Sequence, residues 1–206
     1  MAAARARVVV LAVTAAAALA SGCGGGRVVQ AGLFFEAVSF SSPALGGALT
    51  ASDLATIERT ARDEVAHAFA GWPIAVAEGR QGRYRVAVVQ AVVDPRFRDE
   101  MSVAGRSRAM TGVGGLGAVN FPLLAAAALS CVPAGASRAD VLSAIGRGVG
   151  RAAVHEFAHL LLPTAPLHDT RDRASYEYAS AGRCEQYAGA MHWDVAGPLL
   201  ARRLGG

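Results

Sequence analysis

The chain has 206 residues, 53% of them hydrophobic and 17% charged, a balance that buries a core and excludes a disordered chain. One domain is the expectation for this length. The net charge of +4 rests on arginine alone, since the chain has no lysine; without Arg5 and Arg7, 18 Arg face 16 Asp and Glu, so no nucleic-acid partner is inferred.

Arg5 and Arg7 precede an apolar stretch, Val8 to Ala20, which is short for a bilayer span. The small residues Ala20-Ser21-Gly22 follow, and then Cys23. Residues 1–22 therefore read as a secretory signal segment. The junction resembles a bacterial lipobox, although Leu19 stands one place further from the cysteine than that pattern has it. The resemblance implies that Cys23 is acylated and becomes the mature N-terminus, with residues 23–27 as lipid anchor and Gly-rich tether. An exported, membrane-anchored protein of the cell envelope is expected, with residues 28–206 as its single folded domain. Cys131 and Cys184 would then meet an oxidising compartment. Their pairing would close a loop of about 50 residues, for about 4 kcal/mol on the chain-entropy view. Two buried thiols are the other reading.

Val28 to Val38 is rich in β-formers and reads as a first strand. Thr50 or Ser52 caps a helix over about 53–70, where Leu54, Ile57, Ala61, Val65 and Phe69 recur at helical spacing. His67 reads as a surface or core-edge side chain on it. Ile74–Ala77 and Tyr84–Val93 are expected strands. Residues 96–112 are polar and charged, and their periodicity assigns no element. Gly114–Phe121 reads as a short strand and Pro122–Leu129 as a small apolar helix. Ser137-Arg138-Ala139-Asp140 has the form of a capping box and should start a long helix ended by Pro163. Gly146, Gly148 and Gly150 weaken that helix by up to about 1 kcal/mol each, so either a second backbone packs closely there or the helix breaks. Residues 194–204 are expected to form a last helix stopped by Gly205.

The chemistry is concentrated in His155-Glu156-Phe157-Ala158-His159. Residues four apart share a helix face, so His155 and His159 can present two imidazoles to one metal ion. Glu156 is offset around the helix, near the ion but free to act as a general base toward water. A zinc site of this kind needs a third protein ligand. His168, nine residues beyond His159 and past the Pro163 turn, is the first choice. Asp172 and Asp169 are rivals; Glu177, Glu185 and His192 are further away. Tyr176 or Tyr178 could donate a hydroxyl to an oxyanion, or simply pack with its hydroxyl bonded.

Residues 155–159 match the signature of the zincin metallopeptidases, and the order strand, helix, strands, edge strand, motif helix is similar to theirs. The resemblance implies an α+β, zincin-like fold: a small mixed sheet with an edge strand packed against the motif helix. It also implies Zn2+ held by His155 and His159, Glu156 as general base, and a peptide or protein substrate bound in extended form beside the edge strand, for which Gly114–Phe121 is the expected segment. Metzincins have Gly and a third ligand where this chain has Leu162 and Ala165. Asp169-Thr170-Arg171-Asp172 partly echoes the Gly-Thr-x-Asp run of aspartate-ligand zincins, and Met191-His192-Trp193 resembles a Met-turn only weakly. The resemblance is thus to the superfamily. The expected activity is a zinc-dependent hydrolase acting on peptides; the alternative is a non-catalytic envelope lipoprotein with a structural or vestigial metal site.

Overall fold

The structure, a computed structural model, describes residues 28–92, 104–110, 114–179 and 182–205. The signal-like segment, Cys23 and the tether lie outside them. Among the described residues no helix is long and apolar enough to cross a membrane.

The domain is mixed α+β. Strand β1 (Val29–Phe35) leads through a two-residue antiparallel pair, β2 (Ser41–Ser42) and β3 (Gly47–Ala48), to helix α1 (Ala51–Ala68). Strands β4 (Ile74–Glu78) and β5 (Tyr84–Val89) follow, then β6 (Gly105–Met110) and β7 (Gly114–Asn120). Helices α2 (Phe121–Cys131), α3 (Arg138–Leu161) and α4 (Ala196–Leu204) complete the fold. The sheet order is β4-β1-β5-β7-β6, with β6 alone antiparallel to its neighbour. The segment 79–83 returns from β4 to β5 across β1 and passes so close that a Cβ on Gly32 would run into the Gln81 carbonyl.

Both long helices start as their sequences predict. The Thr50 hydroxyl and the Asp53 carboxylate form a capping box on α1, and Ser137 and Asp140 form one on α3. The cap of α1 is therefore Thr50 and not Ser52. Arg138 donates to both Asp53 carboxylate oxygens, at 3.2 and 2.7 Å, so the two helix starts are tied together. The glycines of α3 are explained by packing and not by a break. A Cβ on Gly146 would lie 2.9 Å from the Ile57 carbonyl oxygen, and one on Gly150 would lie 2.7 Å from that of Ala61. Two glycines four apart let α1 lie backbone to backbone on α3, while Gly148 makes room for the Tyr187 ring.

The core lies between α1, α3 and the sheet, around Leu33, Ile57, Val86, Val119, Ile145 and Phe157, each at 0% exposure. One expectation is corrected. Gly114–Phe121 is not the edge strand: β7 lies between β5 and β6, and the edge against α3 is β6. The reason lies in composition. An edge strand is paired on one side only and is commonly charged, so Arg106-Ser107-Arg108 does not announce a strand by alternation. Cys131 and Cys184 stand at disulfide distance, their Cα atoms 5.0 Å apart, and join the end of α2 to the segment after α3.

Candidate metal centre

Helix α3 carries His155 and His159 on one face, one turn apart. Beyond it the chain reverses through hydrogen-bonded turns: Leu162 N–H donates to Ala158, Ala165 N–H to Leu162, Leu167 N–H to Ala165 and Asp169 N–H to Pro166. Leu167, at 1% exposure, pins this turn into the core. The exposed His168 beside it is thereby aimed back at the helix.

Three Nε2 atoms converge. His155 and His159 are 3.1 Å apart, His155 and His168 3.1 Å, and His159 and His168 3.0 Å. Each nitrogen is either protonated or bare, so at least two of the three are alike. At least one close pair therefore opposes two N–H groups or two lone pairs, whatever the tautomers. A cation facing three bare nitrogens removes the conflict. The centre of such a triangle is about 1.8 Å from each corner, compatible with metal–imidazole distances of about 2 Å. The three histidines can hold a metal ion.

The surroundings set the ring chemistry. His155 Nδ1 lies 2.9 Å from the Tyr176 carbonyl oxygen, which can only accept. Nδ1 therefore carries the proton and Nε2 presents its lone pair, the usual arrangement behind a metal ligand. Burial first, then the neighbouring His159, lowers the His155 pKa to about 3. Burial, with His168 adding, lowers that of His159 to about 4. Both rings are neutral at neutral pH, as ligation requires.

Tyr176 is itself clamped. Its N–H donates to the His192 carbonyl at 3.0 Å, and His192 N–H donates to Ala174 at 3.1 Å. The Arg183 guanidinium donates to the adjacent Ser175 carbonyl at 2.9 Å and to Gln186 at 3.0 Å. One turn before His155 on α3, Arg151 is 4% exposed and pairs with Glu64 of α1 at 2.8 Å. It also donates to the carbonyls of Glu185, Ala188 and Gly189. A buried guanidinium with every arm engaged thus binds α1, α3 and the downstream segment around the histidines.

Glu156 is 5% exposed, offset from the histidine face, and its carboxylate lies against the β6 backbone at Gly105. Tyr176, for which the sequence leaves open an oxyanion donor or ordinary packing, is buried and packed. Its hydroxyl is 3.4 Å from Glu64 Oε1, its ring packs on Trp193, and its contribution to the histidines is its backbone carbonyl. Burial, with the Glu64 carboxylate adding, raises the Tyr176 pKa to about 12. The Tyr178 ring lies over Arg183, 4.9 Å from its guanidinium carbon.

Four of the rival ligands, Asp172, His192, Glu185 and Glu177, are engaged elsewhere. Asp172 pairs with His192 at 3.0 Å and Glu185 with Arg173 at 2.9 Å. Glu177, wholly buried, accepts from the backbone N–H groups of Asp194 and Ala196 at the start of α4. Asp169 is exposed in the turn that carries His168. Sequence reasoning passes over Arg151, Glu64, Arg183 and Gly105. Arg151 leaves a signal, a lone cation in the otherwise apolar run from Val149 to Val154; the Tyr176 carbonyl leaves none. No protein-family model matches the chain, and no curated protein matches it.

Proposed function

We propose that the protein is a zinc-dependent hydrolase of peptides with a zincin-like architecture. The observation that carries this reading is the convergence of the three Nε2 atoms within 3.0–3.1 Å of one another, two of them on the helix that also carries the buried Glu156. Three imidazoles and no thiolate suit zinc with an open fourth position, and the exposure of His168 leaves a side for substrate. Zinc when bound would polarise a carbonyl and make water nucleophilic near neutral pH. His155, His159 and His168 hold the ion, and the Tyr176 carbonyl keeps the His155 lone pair directed at it. Glu156 takes the proton from the attacking water and returns it to the leaving amine. Strand β6 stands at the edge of the sheet among the described residues, where an extended peptide would add as a further strand.

The same reading places the protein outside the cytoplasm, held by acyl chains on Cys23. Its support is the order of basic, apolar and small residues before that cysteine. The test of function is Glu156→Gln. The variant should keep its zinc while peptide hydrolysis falls about 100-fold or more; unchanged hydrolysis sinks the assignment. A fatty-acid probe should label the wild type and not Cys23→Ala, and equal labelling would remove the lipid anchor.

A further inference from the structure

Gly105 has a feature that its backbone does not explain. Its φ lies outside the left-handed region, and glycine weakens a strand position that any larger residue would fill better. It faces the core side of the sheet, paired with the fully buried Val119. What occupies the place of its Cβ is the Glu156 carboxylate, into which an added Cβ would collide.

The strand backbone is held in place, so an added Cβ would displace the carboxylate at the far end of the Glu156 side chain. The start of β6 is fixed by the Asn120 N–H, which donates to the Ala104 carbonyl at 2.8 Å, and Asn120 caps α2 with its side chain. Ala104 packs against the core. Glu156 is carried between two histidines on a helix whose neighbours, Phe157 and Ala158, are wholly buried.

We infer that Gly105 is a positioning residue for Glu156: its missing side chain sets where the carboxylate lies against the edge strand. The inference rests on the proposed hydrolase reading for its consequence in catalysis. A peptide paired to β6 would run about 4.8 Å from its backbone. The residue that touches Glu156 would therefore also set the distance from the carboxylate to the scissile bond, and errors of about 1 Å there cost about 100-fold.

The test uses the full-length protein with Gly105→Ala. Zinc content should remain one per chain. The 13C resonance of the Glu156 carboxyl carbon, assigned by its loss in Glu156→Gln, should move, while the histidine ring resonances stay. In a peptide assay kcat should fall at least about tenfold with KM within about twofold. A folded, zinc-loaded variant with an unmoved Glu156 resonance and wild-type kcat overturns the inference. If Gly105→Ala fails to fold, Gly105→Ala/Glu156→Ala decides. Removing the carboxylate should restore the thermal transition, and no recovery overturns the collision. A wild type that binds zinc but cleaves no peptide removes the hydrolase reading alone, because the resonance and the folding rescue are read without activity.

Discussion

Two of the three histidines at the centre are held by what lies behind them. His155 is aimed by the Tyr176 carbonyl, His168 by the turn that buries Leu167, and the whole cluster by the four-way engagement of Arg151. A buried guanidinium that loses its carboxylate is costly, by about 3–5 kcal/mol. Glu64→Ala should therefore lower stability to denaturant by an amount in that range. Glu64→Gln, which can still accept a hydrogen bond, should cost less. Equal, small losses in both would deny the pair its structural part. At this scale the sequence was legible where chemistry is periodic: His155, Glu156 and His159 stand out by spacing, and His168 by what a doubled-back chain can reach. A backbone carbonyl acceptor has no residue type, so the contact of the Tyr176 carbonyl with His155 leaves no mark in the sequence.

The elements follow from signals of different strength. The capping boxes of α1 and α3 are local patterns, visible in the chain and present in the structure. Strand β6 was not legible, because a paired edge with charged residues looks like a loop until its partner is known. The α3 glycines were legible as a choice between close packing and a break, which only α1 decides. That packing yields a prediction with a definite sign. Gly150→Ala gains up to about 1 kcal/mol of helix propensity but forces a Cβ to 2.7 Å from the Ala61 carbonyl, and overpacking costs about 1–3 kcal/mol. The variant should be net destabilised by chemical denaturation; a stabilised protein would mean that the helices are not in backbone contact. The tie between the helix starts gives a pH dependence. The Arg138 guanidinium, first, and the Thr50 groups hold the Asp53 carboxyl well below its ordinary range. Its contribution is complete above the unfolded value of about 3.9 and is lost as the pH falls below that. Asp53→Asn should flatten the acid limb of the stability–pH curve and leave its neutral shape alone.

At the scale of the molecule, the helices and sheet form one body, and the segment after α3 is wrapped onto it by the Cys131–Cys184 pair, Arg151 and Glu177. That segment carries both His168 and the Tyr176 carbonyl. Cys131→Ser/Cys184→Ser should lower stability by about 2–4 kcal/mol. It should also weaken metal binding, since the third ligand and the clamp on His155 lie inside the closed loop. Unchanged metal affinity would separate the bridge from the centre. The central claim is that three histidines make one metal site. Metal content after zinc loading and dialysis, measured on the wild type and on His168→Ala at neutral pH, addresses it most directly. The wild type should retain one zinc per chain, and the variant should lose most of it while keeping its fold. Wild-type protein that retains no metal, or a His168→Ala variant that retains it fully, would contradict the site.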